Sequence, residues 1–111
     1  MGLDEKRPYE QFQISELLNQ IEEAESKQEW DKVIEAGETI LKLDSSHEIA
    51  FQKTANGYLN RGSAYAGLRQ YQRAIQDYDR AIQLNPNYAK AYYNRGLAYK
   101  ELWHKEAARR S

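Results

Sequence analysis

The stretch YLNRGSAY at Tyr58–Tyr65 returns as YYNRGLAY at Tyr92–Tyr99, an offset of 34 residues. When Ala55–Leu68 is laid on Ala89–Leu102, eight of fourteen positions are identical: Ala55/Ala89, Tyr58/Tyr92, Asn60/Asn94, Arg61/Arg95, Gly62/Gly96, Ala64/Ala98, Tyr65/Tyr99 and Leu68/Leu102. Self-similarity at a fixed period constrains a fold more than any other pattern. Each period must be one supersecondary unit, and such a unit buries its apolar face only by stacking on its neighbours.

Within one period the residues read as two helices. The chain has two prolines, Pro8 and Pro86, and between them it is rich in Glu, Gln, Lys, Ala and Leu with few β-branched runs, a helical composition. In Tyr71–Leu84 the apolar residues Ala74, Ile75, Tyr78, Ala81 and Ile82 fall at the spacing of a helix with one buried face. Asn85, Pro86 and Asn87 stop that helix, because proline lacks an N–H donor and pushes the residue before it out of helical geometry. A new helix is expected to start near Tyr88. Each unit is thus a helix, a tight turn at Leu68–Gln70, a second helix and a proline stop. Gly62, Ala64, Ala74 and Ala81 stand where two helices must approach closely, and Tyr58, Tyr65 and Tyr78 are expected to fill the gaps between hairpins. Tyr92 and Tyr99 fall on the same packing positions and read as core.

The N-terminal part is a degraded copy. Laying EWDKVIEAGETILKLD on QYQRAIQDYDRAIQLN matches Trp30 with Tyr71, Val33 with Ala74, Ile34 with Ile75, Ile40 with Ala81 and Leu43 with Leu84. A single domain, 1–111, then divides into a degenerate unit at 14–47, an insert at 48–54, a second unit at 55–88 and a partial third unit at 89–111. Seven inserted residues advance a helix by about two turns and leave its faces almost unrotated, so the insert lengthens the next helix backwards. Pro8 suits a helix's first turn, and Tyr9 and Phe12 extend the preceding helix. The two extensions are expected to pack side by side. In the third unit Trp103 and His104 replace the turn residues Arg69 and Gln70, and neither breaks a helix, so one continuous capping helix can run from Ala89 to about Arg109.

Composition removes several kinds of chemistry. A chain of 111 residues has room for one modest core. Its 16 Lys and Arg against 17 Asp and Glu leave a net charge of −1, so nucleic acid is not an expected partner. Tyrosines interleaved with arginine could stack bases, but here they occupy packing positions. With no cysteine, thiol catalysis, disulfides and thiolate metal sites are absent. No apolar stretch approaches the ~20 residues that cross a bilayer, and the start MGLDEKRPYE is polar, so no membrane partner and a cytoplasmic location are expected. His47 and His104 lie far apart without metal-type partners and read as solvated loop and terminal residues. There is no phosphate loop, nucleophile elbow or paired His–Glu helix. No enzyme activity, cofactor, metal or small-molecule substrate is expected.

These residues resemble the tetratricopeptide repeat family. Tyr58, Gly62, Tyr65, Ala74, Tyr78, Ala81 and Pro86 stand at seven of eight signature positions, and only Arg61, where the family usually has leucine, departs. The resemblance implies an all-α fold, a right-handed α–α superhelix of about two and a half helical hairpins. It also implies a non-catalytic protein–protein interaction module, a scaffold or adaptor whose first helices line a concave groove. Carried onto this chain, the groove positions place Asn19, Asn60 and Asn94 in register, with Leu59 and Tyr93 beside Leu18, and Ser63 and Leu97 beside Glu22. Lys90 and Lys100 fall at one end, and Glu22 and Glu25 at the other. An asparagine row can donate to and accept from the backbone of a bound peptide or helix without reading its side chains. Some relatives clamp a partner's terminal carboxylate with Lys, Asn and Arg; Asn60 and Lys90 match that pattern, while Leu18, Glu22 and Asn94 do not, so no full clamp is expected. The competing expectation is a homo-oligomer formed through the incomplete third unit.

Overall fold

The computed structural model describes residues 8–110, so the polar start and Ser111 lie outside the described residues. Five α-helices follow one another: α1 Pro8–Ser26, α2 Trp30–Leu43, α3 Glu48–Gly67, α4 Tyr71–Leu84 and α5 Ala89–Arg110. Pro8 opens α1, and the insert extends α3 backwards to Glu48, as the spacing predicts. His47 is not a solvated loop residue. Its Nδ1 accepts from the Ala50 N–H at 3.1 Å and caps α3, satisfying a donor that the helix cannot pair internally.

The two hairpin turns share one geometry. Gln28 and Arg69 take left-handed φ values of 57° and 62°, and the next amides, of Glu29 and Gln70, donate back to Ala24 O and Tyr65 O at 2.9 Å each. Such a turn satisfies carbonyls left open at a helix end, at the expense of placing a side-chain-bearing residue where glycine is easier. The exits match as well: Asp44 Oδ1 accepts from Ser46 N–H at 3.2 Å, and Asn85 Oδ1 from Asn87 N–H at 3.3 Å. A short carboxylate or amide thus closes each unit by mimicking a backbone turn. The third unit makes no such turn. Trp103 stands where Arg69 stands, a bulky side chain unsuited to left-handed backbone, and α5 runs straight through it.

The core forms two adjoining clusters, one of Ile14, Ile21, Ala24, Val33 and Ile40 between α1 and α2, the other of Tyr58, Leu59, Ala74, Ile75, Tyr78, Ala81, Ala91 and Ala98 across α3, α4 and α5. Glycine allows the closest crossings. A Cβ on Gly37 would lie 1.9 Å from Thr54 Oγ1, and one on Gly62 would lie 2.9 Å from Tyr78 Cε1. Ala64, expected at a close crossing, is exposed instead.

Arg61, the departure from leucine, ties the second hairpin together and to the first. Its Nε and Nη2 donate to Asp77 Oδ2 and Oδ1 at 2.9 and 2.8 Å, and Nη1 donates to Asp31 at 2.9 Å. The hydrogen-bonded Asp77 carboxylate holds this guanidinium charged well above the usual arginine range. Asp77 is almost wholly buried, at 4% exposure, and no buried side-chain nitrogen or oxygen among the described residues lacks a hydrogen-bond partner.

The resulting stack measures 67 × 27 × 18 Å, with a radius of gyration of 16.8 Å. A compact domain of this length would have about 13 Å, so the chain is extended along the stacking direction. Two expectations fail at the ends of the stack. The helix extensions do not lie side by side: Lys53 of α3 meets Glu25 in the last turn of α1 at 3.0 Å, while Tyr9 and Phe12 are 60% and 67% exposed. Tyr92 and Tyr99 are not core either, being 43% and 52% exposed, because no second helix of a third unit covers them among the described residues. No described helix is long and apolar enough to cross a membrane.

Candidate peptide-binding groove

α3 and α5 both pack on α4, and a cleft of about 490 Å³ lined by all three opens between α3 and α5. Ser63 and Ala66 form its α3 wall, while Asn94, Leu97 and Glu101 form the α5 wall. Tyr78, only 2% exposed, lies at the floor, with its hydroxyl 3.2 Å from Ser63 Oγ. Leu97 is 44% exposed, which leaves an apolar side chain facing open space beside the amide of Asn94. A cleft with an apolar wall and a few polar groups can bury the side chain of a bound segment and hydrogen-bond its backbone.

Three of the expected groove residues, Ser63, Asn94 and Leu97, therefore meet in one cleft. The others are dispersed. Leu59 is 5% exposed and packs in the core with Ala74 and Tyr78, so it lines no groove; this corrects the assignment from the repeat register. Asn60 is half-buried, and its Nδ2 donates to Asn56 O in its own helix at 2.9 Å, so one of its two N–H donors is engaged within α3, and it does not line this cleft. Asn19 is exposed on α1, and Lys90 and Tyr93 are exposed on α5, none of them lining this cleft. Glu25 does not leave a bare negative end, because Lys53 pairs with it.

Sequence reasoning missed the floor. Tyr71 and Tyr78 come from α4, the second helix of the unit, whereas the repeat register draws the groove from first helices alone. Glu101 was also missed, although it was legible as the residue aligned with Gly67 and so the one new side chain at this edge of the third unit. Outside the cleft, Tyr88 in the α4–α5 turn ties this turn to α3 by donating its hydroxyl to Asn56 Oδ1, and burial pushes its phenol above the ordinary range. Among the described residues no three His, Asp or Glu side chains gather as a metal-binding set.

The class defined by this geometry is a stack of antiparallel helical hairpins with a concave cleft between successive first helices. Two sequence profiles of the tetratricopeptide repeat match the chain, one over residues 55–88 and one over 77–110, and the chain belongs to that family. It is similar to human tetratricopeptide repeat protein 28, at 42% identity over 45 residues, covering 40% of this chain and 2% of that protein. It is also similar to the human mitochondrial import receptor subunit TOM70, at 37% identity over 49 residues, covering 44% of this chain and 8% of that one. A third relative, the peroxisomal targeting signal receptor of Saccharomyces cerevisiae, is 30% identical over 69 residues, covering 62% of this chain and 10% of its own length. The chain thus spans at most 10% of the length of these curated relatives.

Proposed function

We propose that the chain is a non-catalytic protein-interaction module that holds a peptide or helical segment of another protein in the cleft between α3 and α5. The carrying observation is the joining of Asn94 and Ser63, which can hydrogen-bond, to the exposed apolar Leu97 over the tyrosine floor. Two relatives bear names that make them receptors, one for a peroxisomal targeting signal and one as a subunit of a mitochondrial import receptor, which supports a receiving role for the shared repeat. Only Glu101 brings a charge to the lining described here, so recognition rests on apolar burial and neutral hydrogen bonds and should change little with added salt.

Peptides selected from a random display library against the full chain test this reading. Leu97→Asp should abolish binding of the selected peptides, and Asn94→Ala should weaken it by about 1–2 kcal/mol, with helicity preserved in both variants because neither side chain is buried. Peptides that bind wild type and Leu97→Asp equally would show that the cleft is not the working surface.

A further inference from the structure

α5 exposes a stripe whose counterpart on α3 is covered. On α3, Arg61 and Gly62 face α4: Arg61 forks onto Asp77, and a Cβ on Gly62 would meet Tyr78 at 2.9 Å and Asp77 Cβ at 3.1 Å. Tyr58 and Tyr65 flank them. The same residue types recur on α5 as Tyr92, Arg95, Gly96 and Tyr99, and Trp103 continues the line one turn further. Here the stripe is open. Nothing lies within 4 Å of a Cβ placed on Gly96, and Tyr92, Tyr99 and Trp103 are 43%, 52% and 69% exposed. Arg95 donates through Nη1 to Asp79 at 2.7 Å and meets no second carboxylate among the described residues, whereas Arg61 meets two. The stripe is distinct from the cleft, which α5 lines with Asn94, Leu97 and Glu101, and from the core, into which α5 buries Ala91 and Ala98.

We propose that this stripe docks a helix of another protein carrying the α4 pattern: a small residue followed three and four positions later by a carboxylate and an aromatic, as in Ala74, Asp77 and Tyr78. Two observations select that occupant. The molecule already contains this interface once, between α3 and α4, so the notch at Gly96 and the aromatics beside it have a known complement. The remaining guanidinium donors of Arg95 supply the charge that a carboxylate answers. A second copy of this chain is a poor occupant, since among the described helices the pattern occurs only in α4, where Asp77 and Tyr78 are buried.

The probe is the α4 sequence itself, Gln70–Asn85, as a synthetic peptide held helical by a cross-link between the exposed positions of Gln72 and Gln76. Titration into isotopically labelled full chain should give saturable amide shifts at Tyr92, Gly96 and Tyr99 and a shift of the Trp103 indole N–H. A peptide with Asp77→Asn should bind at least about tenfold more weakly, because it loses a charge-assisted pair. Gly96→Leu in the protein should abolish binding at an unchanged or higher melting temperature, since its side chain enters open space in the free chain. Leu97→Asp should leave this binding intact, which separates the stripe from the cleft. The absence of saturable shifts, shifts confined to Ser63 and Asn94, or equal binding to Gly96→Leu would overturn the proposal. So would a dimer in sedimentation that Gly96→Leu disperses, which would give the stripe to a second copy.

Discussion

Arg61 and Asp77 show how a single departure from a repeat pattern is compensated inside the same unit. A leucine in place of Arg61 would leave the carboxylate of Asp77 buried, with its two donors removed. Arg61→Leu alone should therefore cost about 3 kcal/mol, while Arg61→Leu with Asp77→Leu should recover most of that, because an apolar pair avoids the desolvation of both ions. Urea denaturation of the single and double variants checks this, and additive losses would show that the two residues act separately. Tyr58 carries a pH-dependent contribution. Burial raises its phenol above the ordinary value of 10.0, and its hydrogen bond to Glu38, at 2.5 Å, raises it further against the opposing pull of Arg80. A phenol raised in the folded state stabilises fully below its unfolded value, and that contribution is lost as pH rises through the folded value. Tyr58→Phe should flatten the loss of stability above about pH 10. Denaturation midpoints with the same alkaline slope in both proteins would exclude Tyr58 as its source.

The elements are set by short-range chemistry, and their turns carry identifiable strain. Gln28 and Arg69 hold left-handed backbone with side chains attached. Replacing Arg69 with glycine should relieve about 0.5–1 kcal/mol, a rise in stability visible in thermal melts, because glycine reaches that region without a Cβ clash. A drop would mean that the Arg69 side chain has a role that no contact at this turn reveals. The helices, the backward extension of α3 and the Leu68–Gln70 turn were legible in the sequence, since proline and repeat spacing act within a few residues of themselves, whereas the unbroken course of α5 was open, because Trp103 and His104 permit a helix without requiring one. The mispairing of the two extensions was not legible. It depends on the axial offset between α1 and α3, visible here as Lys53 meeting Glu25, and no local signal sets that offset.

At the scale of the whole molecule, the stack has two neighbouring cores and no residue central to everything. Stability in such an array should fall from the middle outward. Amide hydrogen exchange should be slowest in α3 and α4, which pack on both sides, and fastest in α1 near Tyr9 and in α5 beyond Leu102, where side chains are largely exposed. Uniform protection along the chain would instead mean one cooperative unit.

The sequence by itself determined the period, the helices and their turns, and through them the family, because each rests on residues close along the chain or repeated at a fixed offset. It also drew an expected groove of eight residues, Ser63, Asn94 and Leu97 among them, without distinguishing which of the eight share a cleft. Only the tertiary structure decided which aligned residues are covered. Leu59 is core while its counterpart Tyr93 is exposed, and Gly62 is packed against Tyr78 while Gly96 faces open space. The residue types and offsets are alike in the two units, but burial is a property of pairs of elements: α3 has a neighbour on each side, whereas α5 has one on only one side among the described residues.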